Sequence, residues 1–283
     1  MARQEGTLIP VSTRKERSAF VPVDRVTGSS RESLRDRIAV EEPLEIRLNG
    51  KSVAVVMRSP GNDEELACGF LFTEGLLKGK GELESVDHRR DPRKSDFGNV
   101  VEVVSTDDSA LAKRGWQRNF VSASSCGLCG KLTIESVRLQ APPIRNDDLK
   151  VSSAILYGLV DKMRAGQAGF DETGGIHAAG LFDRQGNLLI LREDIGRHNA
   201  VDKVVGAMLL ADSLPLSGKI LVVSGRSSFE IVQKALMARV PFVAAVSAAS
   251  SLAVDLAESS RMALVGFLRG NSMNVYCGAE RIA

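Results

Sequence analysis

The residues with the plainest chemistry in this sequence are two thiols three positions apart, in Ser124-Ser125-Cys126-Gly127-Leu128-Cys129-Gly130-Lys131. A thiolate, not a thiol, attacks sulfur, so the question is whether the surroundings favour ionisation below the usual thiol pKa of about 8.5. If the run from Lys131 to Val137 begins a helix, Cys126 and Cys129 stand at or just before its N-terminus. Free backbone N–H groups and the helix dipole then stabilise negative charge, and Lys131 acts in the same direction. Three chemistries compete for such a pair. A structural zinc site wants four ligands, usually two such pairs, whereas Cys68 and Cys277 stand alone and far off in sequence. A thioredoxin-like redox pair belongs after the first strand of a small βαβ domain, and a long segment precedes this one. The third chemistry is a sulfur or redox carrier with exposed cysteines, and the pair alone leaves the choice open.

A second group of reactive residues lies in the C-terminal half. His177 follows Gly174-Gly175-Ile176, and His198 lies in Asp194-Ile195-Gly196-Arg197-His198-Asn199. Each histidine alone reads as a hydrogen-bonding structural residue; with Asp194 and Arg197 crowded at one helix start they form a candidate site. Zinc deaminase chemistry would need His or Cys, then x, then Glu, followed by Pro-Cys-x-x-Cys. Here His177-Ala178-Ala179 lacks the glutamate and the cysteine pair comes earlier in the chain, so no metal site is expected.

Two polar loops complete the inventory. Ser224-Gly225-Arg226-Ser227-Ser228 follows an apolar strand and precedes a helix, where a glycine admits an anion, serines donate and Arg226 supplies charge. It lacks the Gly-Lys-Ser/Thr of a Walker loop, and a plain strand-to-helix turn explains it as well. Leu268-Arg269-Gly270-Asn271-Ser272, between the last two strands, can hydrogen-bond a base or a phosphate or serve as an ordinary turn.

Periodicity supplies the elements that must hold these groups. Leu44 to Leu48 alternates, Asn49-Gly50 turns, and Ser52 to Met57 returns, a hairpin pattern. Ser59-Pro60-Gly61 stops the strand; Asn62 with Glu65 suggests a capping box opening a helix to about Leu77, with Cys68 as a small buried apolar residue. Residues 78–98, with His88, read as a solvated hairpin, followed by a strand over Val100–Val104, a short helix over Asp107–Gly115 and a strand over Trp116–Ala123. Asn146 or Asp147 caps a helix running to Gly166. Ile176–Phe182 and Leu188–Leu191 form a second hairpin, and a helix begins near Asp194. Then a unit repeats: an apolar strand, a small-residue turn and a helix, first over Lys219–Leu236 and again over Phe242–Leu256. Such repetition means parallel strands with crossover helices. Strands over Ala263–Leu268 and Met273–Tyr276 end the pattern.

The expected organisation is therefore a largely flexible tail over 1–36 with one short strand near Phe20, an α+β part over 37–145 carrying the cysteine loop, and an α/β part over 146–283. The chain has 283 residues, 43% hydrophobic and 25% charged, with a net charge of +2. That balance is too small to argue for nucleic acid or a membrane surface. No apolar run approaches the roughly 18 residues of a membrane span, and no signal pattern opens the sequence. Four cysteines are too few for a disulfide scaffold. A cytoplasmic protein with reduced thiols is expected.

Five segments in order resemble one family. The cysteine loop, Gly69-Phe70-Leu71-Phe72-Thr73-Glu74-Gly75, Thr173 to His177, Glu193 to Lys203 and Ser224 to Ser228 are together similar to the formate dehydrogenase accessory sulfurtransferases, the FdhD family. The resemblance spans about residues 40–280. It implies a layered α/β fold like that of the cytidine deaminases without their zinc chemistry, and a homodimer. It further implies a sulfur carrier that takes persulfide sulfur from a cysteine desulfurase. The sulfur goes to the molybdenum cofactor carrying two molybdopterin guanine dinucleotides, which is bound as substrate; no permanent cofactor is expected. The role would be maturation of formate dehydrogenase. Mapped onto this chain, Cys126 carries the persulfide and Cys129 is a second carrier or resolving thiol. The guanine nucleotide falls on the loop starting at Phe267, with Arg269 and Asn271 as contacts. Two alternatives remain: a nucleotide-binding chaperone that presents the cofactor without carrying sulfur, and a thiol-disulfide oxidoreductase.

Overall fold

The computed structural model describes residues 17–89, 99–107, 141–145 and 147–283. The cysteine loop 124–131 with the helix expected after it, most of the helix expected over Asp107–Gly115, the strand expected over Trp116–Ala123, and Asn146 lie outside the described residues.

Strands β1 (Ser18–Thr27) and β2 (Ser30–Ala39) form an antiparallel hairpin. Residues 18–36 thus carry paired strands where the sequence suggested a flexible segment with one short strand. The alternation is blurred by charged residues on both faces, and the base of the hairpin is held by Ser18 Oγ, which donates to Glu172 Oε2 at 2.7 Å.

β3 (Glu42–Leu48) and β4 (Lys51–Arg58) are the expected hairpin. Asn49 and Gly50 both have positive φ, 49° and 75°, the pair of left-handed residues that a two-residue hairpin turn requires. β5 (Leu83–Arg89) and β6 (Val100–Ser105) complete a four-stranded sheet in the order β4-β3-β6-β5. His88 is on a paired strand, as the expected hairpin requires, but its side chain is largely covered rather than solvated. Its Nδ1 lies 3.5 Å from Asp63 Oδ2, a through-space partner that sequence spacing cannot show.

Helix α1 (Asp63–Thr73) begins without the expected capping box. Asn62 is left-handed and caps nothing with its side chain; its Oδ1 accepts from Arg17, and Glu65 instead receives Arg192 at 2.7 Å. The helix stops at Thr73, short of Leu77, because Gly75 turns left-handed at φ 69°. α2 (Ser153–Arg164) is capped by Ser152, whose Oγ accepts from Ile155 N, and not by Asp147. The Asp147 carboxylate accepts from Leu149 N, Gly218 N and Arg281. A short helix, α3 (Ala168–Thr173), follows.

The second hairpin, β7 (His177–Phe182) and β8 (Leu188–Asp194), joins β9 (Ile220–Val223), β10 (Phe242–Ala245), β11 (Ala263–Arg269) and β12 (Ser272–Cys277) in a six-stranded sheet, order β12-β11-β10-β9-β7-β8. β9, β10 and β11 are parallel, as the repeated strand-turn-helix unit requires. Their crossover helices are α5 (Phe229–Met237) and α6 (Ser251–Ser259), and α4 (Arg197–Leu210) precedes β9. Alternate residues of each strand face opposite cores: Leu221, Val223, Val243 and Ala245 join the α1, α4 and α5 side chains, while Ile220, Val222, Phe242 and Ala244 pack with Leu156, Leu159 and Met163 of α2. The first core also holds Leu44, Ile46, Val101 and Val103, so one apolar interior joins residues on both sides of the 140–147 segment.

What brings the two sheets together is a close crossing of α1 and α4. A Cβ placed on Gly69 would lie 1.9 Å from the Asp202 carbonyl oxygen, and one on Gly206 would lie 1.8 Å from that of Glu65. Only glycine permits backbones this close.

Candidate functional site

Parallel strands align their C-terminal ends on one edge of a sheet, and three polar loops of this chain are set there. After β9 comes Ser224–Ser228, after β10 Ser247–Ser250, and at the end of β11 a bulge around Phe267. The first two loops are stitched by a parallel bridge, Ser227 N donating to Ala248 O at 3.0 Å and Ser250 N to Ser227 O at 3.1 Å. Phe267 N donates to Ser247 O at 3.0 Å. A continuous ledge of backbone thus runs from Gly225 to Phe267.

Antiparallel pairing adds the histidine region. Because β7 runs against β9, with Ala179 opposite Val223, the start of β7 meets the end of β9. His177 in turn stands opposite Asp194 at the end of β8, which delivers the N-terminus of α4 to the same place. The result is close contact: a Cβ on Gly225 would lie 3.3 Å from His177 Nδ1 and 3.5 Å from Arg197 Cδ. Ser224 N donates to Ala178 O, and Ser224 Oγ accepts from Ala178 N at 2.9 Å, so this serine fastens the loop to β7. His198 is buried, with Nε2 3.2 Å from Ser228 Oγ and 3.7 Å from Glu230.

The electrostatics favour a neutral His177. Burial is the largest cause lowering its pKa and the Arg197 charge adds to it, with Asp194 opposing. Asp194 is fully buried and heavily engaged. Lys203 Nζ lies 2.6 Å from Oδ2, Gly196 N and Asn199 Nδ2 donate to Oδ1, and Ser59 N donates to Oδ2. That carboxylate fixes the start of α4 and is not the counter-ion of Arg197.

The sequence pattern of the FdhD/NarQ family matches residues 39–283. This chain belongs to the FdhD/NarQ family. A sulfur carrier protein FdhD from Streptomyces avermitilis is 49% identical over 92% of this chain and 94% of its own length. One from Sulfolobus acidocaldarius is 41% identical over 93% of this chain and 97% of its own. The crystal structure of a candidate formate dehydrogenase accessory protein from Desulfotalea psychrophila shares the fold, with a TM-score of 0.73 at 24% identity, covering 95% of this chain and 100% of that one.

Within this FdhD/NarQ chain the residues picked from sequence divide by location. His177, His198, Ser224, Gly225, Arg226 and Ser227 converge at the β9 end; Arg226 is exposed, whereas Ser227 is fully buried and its hydroxyl has no partner among the described residues. Phe267, Arg269, Gly270, Asn271 and Ser272 lie at the β11 end. The loop there is shorter than sequence suggested, since Leu268 and Arg269 belong to β11 and Ser272 to β12, leaving Gly270-Asn271 as the turn. Leu268 is fully buried in the second core, so its side chain is closed to a ligand. Phe267 is left-handed at φ 51° within a register shift between Gly266 and Arg269, a backbone state that an aromatic residue adopts only at a cost. The Arg269 guanidinium stands 5.6 Å from its ring centroid. Cys126 and Cys129 lie outside the described residues. Cys68 is buried, which pushes its thiol up to about 12.

Three contributors complete the site beyond the residues mapped from the resemblance. Arg197 stands beside the histidines, as its place in the sequence suggests, and packs against Gly225. The Ser247–Ser250 loop joins two chosen loops; its equivalent position after a parallel strand was the available signal. Gly266 is the third: a Cβ there would lie 2.9 Å from Ser247 O and 2.9 Å from Tyr276 Cε2. Other motif residues build the interior. Lys234 Nζ donates to Asp202 Oδ2 at 2.8 Å and to Thr73 Oγ1 at 3.0 Å, and Thr73 Oγ1 donates to Asp202 Oδ1 at 2.8 Å. This buried group ties α1, α4 and α5 together beneath the ledge.

Proposed function

We propose that this chain is a sulfur carrier that accepts persulfide sulfur from a cysteine desulfurase at Cys126 and delivers it to the bis-molybdopterin guanine dinucleotide molybdenum cofactor, in the maturation of formate dehydrogenase. The observation that carries the reading is a Cys126-x-x-Cys129 pair in a chain 49% identical to a protein named as a sulfur carrier. Loading is a thiol exchange: the Cys126 thiolate attacks the outer sulfur of the desulfurase persulfide, a new S–S bond forms, and the desulfurase cysteine leaves as thiolate. For delivery, the Cys129 thiolate attacks the Cys126 sulfur of the persulfide. A Cys126–Cys129 disulfide forms, hydrosulfide leaves towards the bound cofactor, and an external thiol reductant returns both cysteines to the reduced state.

The ledge suits the cofactor's guanine nucleotides. Backbone N–H groups at the α4 and α5 N-termini, the exposed Arg226, the orphaned Ser227 hydroxyl and the neutral His177 fit a diphosphate at the β9 end. Phe267, with Arg269 and Asn271 beside it, offers a ring and hydrogen-bonding groups for a base at the β11 end. The cofactor is substrate here, and the protein's part is to orient it towards the cysteine loop. We further infer a cytoplasmic homodimer, and a layering like that of the cytidine deaminases; the central sheet with parallel βαβ units supports the latter. Loss of formate dehydrogenase activity in a Cys126→Ala strain, with cofactor still inserted into the enzyme, is the expected result in cells; full activity in that strain would overturn the reading.

A further inference from the structure

Arg197 is the first residue of the 14-residue helix α4, at the meeting point of β7, β8 and β9. Its Nε is buried and makes no hydrogen bond among the described residues. Acidic side chains on the adjoining elements are engaged elsewhere: Asp194 pairs with Lys203 at 2.6 Å, and Glu230 faces His198 at 3.7 Å. Among the described residues Arg197 forms no ion pair. A half-buried arginine whose Nε is shut off from water, with no counter-ion among the described residues, is unfavourable in the ligand-free protein. Such an arrangement makes sense when the anion arrives with a ligand.

Independent features point at the same place. Ser227 is 0% exposed and its hydroxyl has no partner among the described residues, an uncommon state for a buried polar group. Gly225 brings bare backbone against both His177 and Arg197, with no room for a larger residue without displacement. Neither α4 nor α5 has a side chain capping its N-terminus, so N–H groups of both helices are open to an acceptor. Along the ledge, β9 and β11 are two strand spacings apart, about 10 Å, a span comparable with that from a purine base to its second phosphate.

We propose that Arg197, rather than the exposed Arg226, is the principal cation for the diphosphate of the bound guanine nucleotide, with Ser227 and the Gly225 backbone as its partners in that contact. The proposal rests on the reading above that this edge receives a guanine dinucleotide. A planar guanidinium matches a phosphate with two parallel hydrogen bonds, which a lysine cannot do. Arg226 at the rim adds attraction screened by solvent.

The test is calorimetric titration of the full chain with inorganic pyrophosphate, GDP and guanosine. Arg197→Met is expected to weaken pyrophosphate and GDP at least about tenfold, the usual scale for one charge-assisted contact, while guanosine binding stays unchanged. Arg197→Lys is expected to lie between, and Arg226→Ala to lose about threefold or less. Should Arg197→Met fold poorly, the wild-type protein gives a second readout. Pyrophosphate should shift the NMR imidazole signals of His177 far more than those of His88. Pyrophosphate and GDP binding to Arg197→Met within twofold of wild type, a larger loss in Arg226→Ala, no binding by the wild type, or an unmoved His177 would each overturn the proposal. Persulfide loading of Cys126 in the same preparations reports separately on the sulfur-carrier reading.

Discussion

Lys203 Nζ lies 2.6 Å from Asp194 Oδ2, and both side chains are buried. The same ammonium donates to Ser59 O at 2.9 Å, and the same carboxylate accepts from the backbone of Ser59 and Gly196. This pair therefore clamps the end of β4 to the N-terminus of α4, the element that presents Arg197 and His198. Removing one partner of a buried pair leaves the other charge uncompensated. Lys203→Met is expected to lower unfolding stability by about 3–5 kcal/mol in urea denaturation, with Lys203→Met/Asp194→Asn recovering part of the loss.

The α1–α4 crossing gives a steric prediction. Gly69 and Gly206 each stand where a Cβ would strike a backbone carbonyl of the other helix, and a backbone cannot rotate away as a side-chain end can. Gly206→Ala is expected to cost about 3 kcal/mol, read from the thermal midpoint. Gly79→Ala, with nothing within 4 Å of the new Cβ, should leave that midpoint nearly unmoved.

His177 sets a pH dependence. Burial first and Arg197 second hold its pKa below the ordinary histidine value, against the pull of Asp194. Between the folded pKa and about 6.5 the unfolded chain binds more protons than the folded one, so stability rises with pH there. The contribution is complete above about 6.5 and is lost as pH falls below it. Urea midpoints measured from pH 7.5 to 5.5 should fall less steeply in His177→Gln than in the wild type. Identical slopes would show that this imidazole is not held neutral.

The left-handed backbone of Phe267 bears on the proposed base contact. A left-handed aromatic residue carries about 1 kcal/mol or more of backbone cost, which glycine relieves while losing a half-buried ring. Phe267→Gly is expected to change stability by less than about 1 kcal/mol yet weaken GDP binding severalfold in calorimetry. A large loss of stability with GDP affinity intact would make the ring a packing residue only.

How much could be read from the chain follows from where the information lies. The Asn49-Gly50 hairpin, the parallel strand-turn-helix units and the burial of Cys68 are local patterns, and the structure has them. The capping box at Asn62 failed because Glu65 is drawn to Arg192, a residue 127 positions away. Asp147 was lost as a cap in the same way, to Gly218 and Arg281. The loops after β9 and β11 were legible as polar turns following apolar strands. Their connection through Ser247–Ser250, the burial of Leu268 and the lack of an ion pair for Arg197 among the described residues depend on strand order, which no window of sequence contains.

Intact mass spectrometry after incubation with a cysteine desulfurase and cysteine tests the central claim most directly. The wild-type chain should gain at least one sulfur atom, removable by a thiol reductant; Cys129→Ala should still load, and Cys126→Ala should not. No added sulfur in the wild type, with thiols reduced and the desulfurase active, or full loading of Cys126→Ala, would contradict sulfur carriage at Cys126.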